Sequence, residues 1–251
     1  MFAISLEGFA DSVPFVDKLY NLEPVAGGYD IEPDAEAVKR LSHTVAIQDR
    51  AVSDSDLTVL IKNTGRDINK VKLLKPAAGG LDIIILPERA DGFGDPGRQP
   101  EYFGEIKHAV METLFEKGPV TLLSKARIKE ARYIRYKINV DLTVQSYNDY
   151  HPVNEAVENA LEAFLHPITG GAGRDGFEIG KMPTKTRIYM LLKAINKIVR
   201  INSFNINCFE IDGDRTKELD YEKAVLLDDA VPVSAGHDIT IGLMPKREQH
   251  A

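Results

Sequence analysis

The stretch Tyr133-Ile-Arg-Tyr-Lys-Ile-Asn-Val-Asp-Leu-Thr-Val144 alternates apolar and polar residues along almost its whole length. Because successive side chains of a strand point to opposite faces, this alternation predicts a β-strand with one buried face and one solvated face. The predicted strand is longer than the usual strand of roughly 5–6 residues. A buried face of that length needs a broad apolar cover.

Two amphipathic helices that follow this strand are predicted to supply the cover. Apolar residues that include Ala156 recur at helical spacing between Asn154 and Leu165, and Pro167 ends the pattern. A second apolar stripe runs through Thr184–Ile195, where Thr184 is a suitable N-cap. Both helices are therefore expected to pack on the same sheet.

A further strand is predicted from about Ile198 to Phe209, and its alternation slips at Asn202-Ser203, which indicates a β-bulge. The connection between the helices is rich in glycine and contains a possible short strand at Phe177–Ile179. After the last strand, Glu210–Glu218 predicts a charged turn, and Leu226–Gly242 predicts a loop that leads into a terminal strand. The order strand, helix, helix, strand predicts an α+β sandwich with its helices on one sheet face.

Residues 44–123 predict a second unit of the same general kind. Ser53 and Asp56 form an N-cap signature for a helix over Asp54–Asn63, and Gly65 is expected to cap its C-terminus. Two strands and a covering helix are predicted at Ile68–Leu74, Leu81–Leu86 and Phe103–Leu114. The second of these strands is nearly all apolar, which favours a central position in the sheet.

The predicted organisation is an N-terminal arm over residues 1–43, a first module over 44–123 and a second module over 124–251. In the arm, Phe2–Leu6 predicts an edge strand and Asp34–Leu41 predicts a short helix. Such an arm either crosses another subunit or wraps around its own core, and the sequence leaves both open. The predicted fold class is α+β: two small modules of mixed or antiparallel sheet, with helices packed on one face.

The composition is typical of a globular protein, with 43% hydrophobic and 27% charged residues among 251. A net charge of −7 argues against a nucleic-acid binder that relies on neutralising phosphates. The one cysteine, Cys208, excludes an intrachain disulfide and is predicted to lie in the core. The absence of a secretory signal and of a membrane-length apolar run predicts a soluble intracellular protein.

No residue pattern that carries chemistry is complete in this sequence. The glycines of Gly170–Gly180 follow a helix rather than a strand and lack the lysine and hydroxyl of a phosphate loop, so they are expected to mark turns. Asp212-Gly-Asp214 does not match the ligand spacing of a calcium loop. The histidines lack the spacing of a helical metal pair. The sequence therefore predicts no catalytic, cofactor or metal site.

Two segments nevertheless form a recognisable pair of motifs. The first is Arg50-Ala-Val-Ser-Asp-Ser-Asp56, of which Arg50, Ala51, Val52 and Asp56 match. The second runs from Phe164 to Gly180, and its matching residues are Pro167, Gly170, Gly171, Gly176, Phe177 and Gly180. Together they resemble the baseplate J-like family, the wedge components of contractile phage tails and related injection machines. Phe177 stands where that family often has tryptophan.

The resemblance implies a structural baseplate wedge subunit with no enzymatic activity and no cofactor. Its implied partners are other wedge proteins and copies of itself in a six-fold ring around the tail tube, with no nucleic acid, membrane or small-molecule substrate. It implies a location in the baseplate of a virion or injection particle, assembled in the bacterial cytoplasm. Two alternatives are a small hydrolase-like enzyme with its site at Gly170–Gly180, and an adaptor or ligand-binding domain.

Overall fold

The computed structural model describes residues 53–65, 67–77, 79–88, 100–118, 125–212 and 215–244, together with Asp34, Ala37 and Val38. The chain divides into two compact units, Met1–Ser42 and His43–Ala251, and the elements below belong to the second. The predicted strand Phe2–Leu6 lies outside the described residues. Within the predicted helix Asp34–Leu41, the three described residues are helical. The division into an arm and two modules stays a prediction.

The described part contains five α-helices and eight strands. The helices are α1 (Asp54–Lys62), α2 (Pro100–Lys117), α3 (Tyr150–Leu165), α4 (Lys185–Lys193) and α5 (Tyr221–Val225). The strands are β1 (Ile68–Leu74), β2 (Leu81–Pro87), β3 (Ala126–Glu130), β4 (Arg132–Val144), β5 (Ile198–Asp212), β6 (Arg215–Leu219), β7 (Ala230–Ser234) and β8 (Asp238–Leu243).

The first sheet has the strand order β1-β2-β3, antiparallel between β1 and β2 and parallel between β2 and β3. Every residue of β2 is buried, as the prediction of a central strand requires. Helices α1 and α2 pack on the face that carries Ile83 and Ile85. The opposite face, with Ile84 and Leu86, packs against residues of the second half of the chain. Burial on both faces explains why this strand is nearly all apolar.

The N-terminus of α1 is capped as predicted, but its C-terminus is not. Ser53 Oγ accepts the N–H of Asp56, and the Asp56 carboxylate accepts the N–H of Ser53 at 2.8 Å, which completes a capping box. The expectation that Gly65 caps the other end was wrong. The helix ends at Asn63, whose N–H donates back to Val59 at 2.9 Å, so the turn closes without a left-handed residue.

The second sheet has the strand order β6-β5-β4-β7, with β8 also paired to β4. Strand β5 runs antiparallel to β4 from Ile134 to Val144. On the other side, β7 pairs in parallel with Arg132–Tyr136, and β8 pairs in parallel with Asn139–Val144. Strand β4 is therefore the centre of the sheet, and its far edge is shared by two short strands in succession.

The apolar face of β4 is buried under α3 and α4, which confirms the predicted alternation and the α+β class. The six alternating residues from Ile134 to Val144 are at most 3% exposed and join the buried residues of both helices in one core. Helix α3 begins at Tyr150, four residues before the predicted start, and Ala156 is exposed rather than part of the stripe. Pro152 fits the first turn because N–H groups there have no partner within the helix.

The predicted bulge in β5 is confirmed at Asn202. Asp141 pairs with Ser203 and Leu142 with Ile201, so Asn202 has no direct partner in the ladder. Its side-chain amide donates instead to Thr143 Oγ1 at 2.9 Å and to Asp141 at 3.2 Å across the strands. The bulge keeps the apolar residues on both sides of it in register with the core.

Two predictions for the C-terminal region were wrong. Most of the predicted charged turn Glu210–Glu218 is paired strand, because β5 continues to Asp212 and β6 returns along it. Since β6 lies at an open edge, its polar residues are compatible with a strand. The predicted loop before the terminal strand contains β7, in which Pro232 is tolerated because this strand pairs on one side.

His237 fills a gap in the ladder between β7 and β8. The Ile138 N–H, which lies between the residues paired by the two strands, donates to His237 Nδ1 at 3.2 Å. His237 Nε2 lies 3.2 Å from Ser234 Oγ. A nitrogen that accepts an N–H carries no proton, so the ring is neutral in this arrangement. Burial lowers the pKa of His237 to about 4, and the nearby Asp238 opposes that shift.

Acid is therefore expected to destabilise this junction. The folded pKa lies below the ordinary value of 6.5, so unfolding takes up a proton as pH falls, and stability declines from about pH 6.5 towards about pH 4. Urea unfolding of the wild type and of His237→Asn at pH 7 and pH 4.5 measures this. A smaller loss for the variant is expected, because asparagine offers an acceptor that does not titrate; equal losses would contradict the role of His237.

Candidate functional site: the glycine-rich connection

The motif residues Pro167, Gly170, Gly171, Gly176, Phe177 and Gly180 all lie in the connection between α3 and α4. His166 ends α3 in an extended conformation. Its Nδ1 accepts the N–H of Ile168 at 3.3 Å and that of Thr169 at 3.0 Å, and lies 2.9 Å from Thr169 Oγ1. Burial lowers the pKa of His166, which favours the neutral ring that this set of contacts needs.

Five backbone amides at the motif residues of the connection are used within the protein. They donate at 2.7–3.0 Å to backbone carbonyl oxygens, in the pairs Gly170 to His166, Gly171 to Phe164, Gly176 to Gly170, Phe177 to Pro167 and Gly180 to Ala230. A phosphate loop requires amides that converge on an anion. These five amides point to carbonyl groups instead, so this segment lacks the geometry of a phosphate cradle.

The predicted short strand at Phe177–Ile179 was wrong. Gly176 and Gly180 flank it with φ values of +74° and +82°, and these left-handed turns prevent an extended run. The space at Gly180 is also limited, because a Cβ atom there would lie 2.5 Å from the Asp228 carbonyl oxygen and 2.5 Å from Lys72 Nζ. Glycine is therefore required at position 180 for both conformation and close approach.

Phe177 anchors the connection in the core of the second sheet. Its side chain is 7% exposed and belongs to the same apolar cluster as the buried face of β4. The Phe177 ring meets the Phe164 ring edge to face, with 5.7 Å between centroids. Such pairs add an orientation-dependent attraction to the free energy gained by burying two large rings. Phe177 thus fixes the connection against the end of α3.

The same connection joins the second sheet to the first. Lys70 of β1 donates to the carbonyl oxygens of Asp175 at 2.7 Å and Phe177 at 3.1 Å. Burial lowers the pKa of Lys70, while Asp175 and Glu178 oppose the shift. Ile179 packs in a cluster with Ile84, Leu86, Ala131 and Val231, which come from both halves of the chain. The glycine-rich segment is therefore the place where the two sheets meet.

Of the matching residues in the first motif, Asp56 lies within the described part of the chain. Arg50, Ala51 and Val52 lie outside the described residues. Asp56 completes the cap of α1, and α1 packs on the face of β2 opposite to the face that Ile179 covers. Within the described ranges, the two motifs thus occupy different faces of the first sheet.

Lys70 and Lys72 are contributors that the sequence did not single out. Lys72 Nζ donates to the Asp228 carbonyl oxygen at 2.9 Å, so both lysines of β1 bind backbone of the second half of the chain. Their polar–apolar alternation with Val71 and Leu73 looks like an ordinary solvated strand face. Because their partners are more than 100 residues away, no local pattern marks them.

Other candidate groups are placed as follows. Cys208 is fully buried in β5, as predicted, and burial raises the pKa of its thiol to about 11. Among the described residues, no three His, Cys, Asp or Glu side chains lie together in a way that would hold a metal ion. None of the described helices combines the length and apolar character needed to cross a membrane.

Replacement of Phe177 by alanine is expected to lower the free energy of unfolding by about 3–5 kcal/mol, because it removes a buried ring and leaves a cavity. Urea denaturation measures the loss. Phe115→Ala is the matched control: its ring is 77% exposed on α2, so a change within about ±0.5 kcal/mol is expected. Similar values for the two variants would contradict the anchoring role.

Gly180→Ala is expected to cost about 2–4 kcal/mol of unfolding free energy, from the left-handed backbone and the close oxygen together. Gly236→Ala separates these two contributions. Gly236 has a φ of +74°, but no atom lies within 4 Å of the added methyl group, so about 1–2 kcal/mol is expected. Equal losses measured by urea unfolding would contradict the close approach at Gly180.

Comparison with known proteins gives a match of fold. No family model matches the sequence, and no curated protein matches it. Sixteen chains of solved structures match. One of them belongs to the "Cryo-EM structure of the anti-feeding prophage (AFP) baseplate, 6-fold symmetrised", with a TM-score of 0.55 and 13% sequence identity. The match covers 91% of this chain and 47% of that chain. This protein therefore shares its fold with about half of a chain in a baseplate structure.

Proposed function

We propose that this protein is a structural wedge subunit in the baseplate of a contractile phage tail or injection machine. The observation that carries the proposal is the shared fold with a chain of the anti-feeding prophage baseplate over 91% of this sequence. The motif resemblance to baseplate J-like proteins points the same way on separate grounds, because it rests on residues rather than on backbone shape.

The geometry of the glycine-rich connection supports a structural role for the motif. Five of its amides are bonded to carbonyl groups of the protein, Phe177 is buried, and Lys70 attaches the segment to the first sheet. In this proposal the motif residues hold two sheets in a fixed relation, and the outer surfaces contact other subunits. The partners would be other wedge proteins and copies of this chain in a six-fold ring, at the baseplate of a particle assembled in the bacterial cytoplasm.

Co-expression with the products of neighbouring genes tests the proposal. A wedge subunit is expected to co-purify in a complex of defined stoichiometry, whose mass is measured by light scattering and whose shape is seen by electron microscopy. A chain that stays free of every neighbouring product, or that shows hydrolase activity dependent on the glycine-rich connection, would contradict the proposal.

A further inference from the structure

Helix α3 presents an acidic outer surface, here called the acidic ridge and formed by Glu155, Glu158 and Glu162. All three side chains are exposed, and their spacing places them on one side of the helix. The helix contains no lysine or arginine. Two exposed alanines, Ala156 and Ala163, lie beside the glutamates, and the exposed Asn159 lies between them along the helix.

Helix α4 presents the opposite charge on its outer surface. This basic ridge consists of Arg187, Met190 and Lys193, all exposed and spaced at successive turns, in a helix without aspartate or glutamate. Met190 projects between the two cations with 65% of its side chain exposed. A large apolar side chain flanked by cations on a solvated helix is a suitable centre for a contact with another protein.

Neither ridge is neutralised within the chain. In the part of the chain that the structure describes, Glu158, Glu162, Arg187 and Lys193 make no ion pair, and Glu155 faces only His151 at 3.6 Å. Helices α3 and α4 pack side by side on one face of the second sheet, with α3 over β7 and β8 and α4 over β5. Because both ridges face outward from this layer, one chain cannot bring them together.

We propose that the two ridges form an interface between two copies of this chain, with α3 of each copy packed against α4 of the other. This inference rests on the proposed function, since it names one of the self-contacts that a baseplate subunit would make. A two-fold axis that runs along the helices places both acidic ridges on both basic ridges at once. The contact is then isologous and closed.

The dimensions of the ridges agree with this pairing. Arg187 and Lys193 are separated by about 9 Å along α4, and Glu155 and Glu162 by about 10 Å along α3, at a rise of 1.5 Å per residue. Met190, between the cations, would lie against the small side chains of Ala156 and Ala163, beside Asn159. Opposite charges then meet around an apolar contact, the arrangement of a core with a polar rim.

The area of the two ridges sets the strength of the contact. Helices of 16 and 9 residues are about 24 Å and 14 Å long, so the pair covers roughly 400 Å² on each copy. A total near 800 Å² lies below the roughly 1,200–2,000 Å² that stable specific complexes bury. The dimer is therefore expected to be weak and sensitive to salt, and to be reinforced where a larger particle holds two copies close together.

Sedimentation equilibrium of the full chain tests the interface. The wild type is expected to dimerise at low salt and to dissociate in about 1 M salt, where the screening length is about 3 Å. Glu158→Lys/Glu162→Lys and Arg187→Glu/Lys193→Glu are each expected to raise the dissociation constant at least about tenfold, since like charges then face each other. Glu105→Lys/Glu116→Lys on α2 is the control for the glutamate double variant, because it makes the same change in net charge away from the ridges, and it should leave the dissociation constant unchanged.

Variants that restore the charge complementarity between the ridges provide a second test of dimerisation. A variant with all four exchanges has basic α3 and acidic α4 helices and is expected to dimerise again, and a mixture of the two double variants is expected to form a 1:1 dimer. A wild type that is monomeric at high concentration, or double variants that dimerise normally, would overturn the proposed interface. If the double variants dimerise like the wild type while the chain still joins a complex with neighbouring gene products, only this interface fails; if dimerisation responds as expected but no such complex forms, only the proposed function fails.

Discussion

The two-sided pairing of β4 is the constraint on which the second half of the structure depends. One edge of this strand is paired along its length with β5, while the other edge is divided between β7 and β8. Its apolar face is covered by both α3 and α4, and the connection between those helices crosses the end of the sheet at Ala230, whose carbonyl oxygen accepts the Gly180 N–H. The position of the glycine-rich segment follows from that crossing.

This crossing brings the segment against the first sheet, where its chemistry is used for attachment. Lys70 and Lys72 donate to backbone carbonyl groups, and Ile179 enters an apolar cluster shared by both sheets. Each of these contacts uses a polar group or an apolar surface within the protein, so that group or surface is not available to a ligand. The segment that looks most like a functional loop in the sequence therefore acts on the protein's own architecture, and the charged ridges of α3 and α4 remain open to solvent.

The split edge of β4 also introduces a titratable group into a sheet. A continuous strand would offer a carbonyl oxygen to Ile138, but the chain leaves β4 after Ser234 and returns at Asp238, so a histidine nitrogen accepts this amide. Burial keeps that ring neutral. Local stability at this irregular edge therefore depends on pH. An uninterrupted strand would place a carbonyl oxygen there, which does not titrate.

The sequence by itself determined the elements whose signal is local and periodic. These elements are the alternation in β4, the helical stripes of α3 and α4, the all-apolar β2, the Ser53 capping box and the bulge at Asn202. Each follows from spacing along one element, and the structure confirms them.

Only the tertiary structure decided the roles of β6, β7, Lys70 and His237. Open edges accept polar residues and proline, so β6 and β7 have no strand signature, and the partners of Lys70 and His237 are about 100 residues distant. A sequence pattern depends on residues that are neighbours along the chain. The roles of these residues depend instead on groups that come close only when the chain folds.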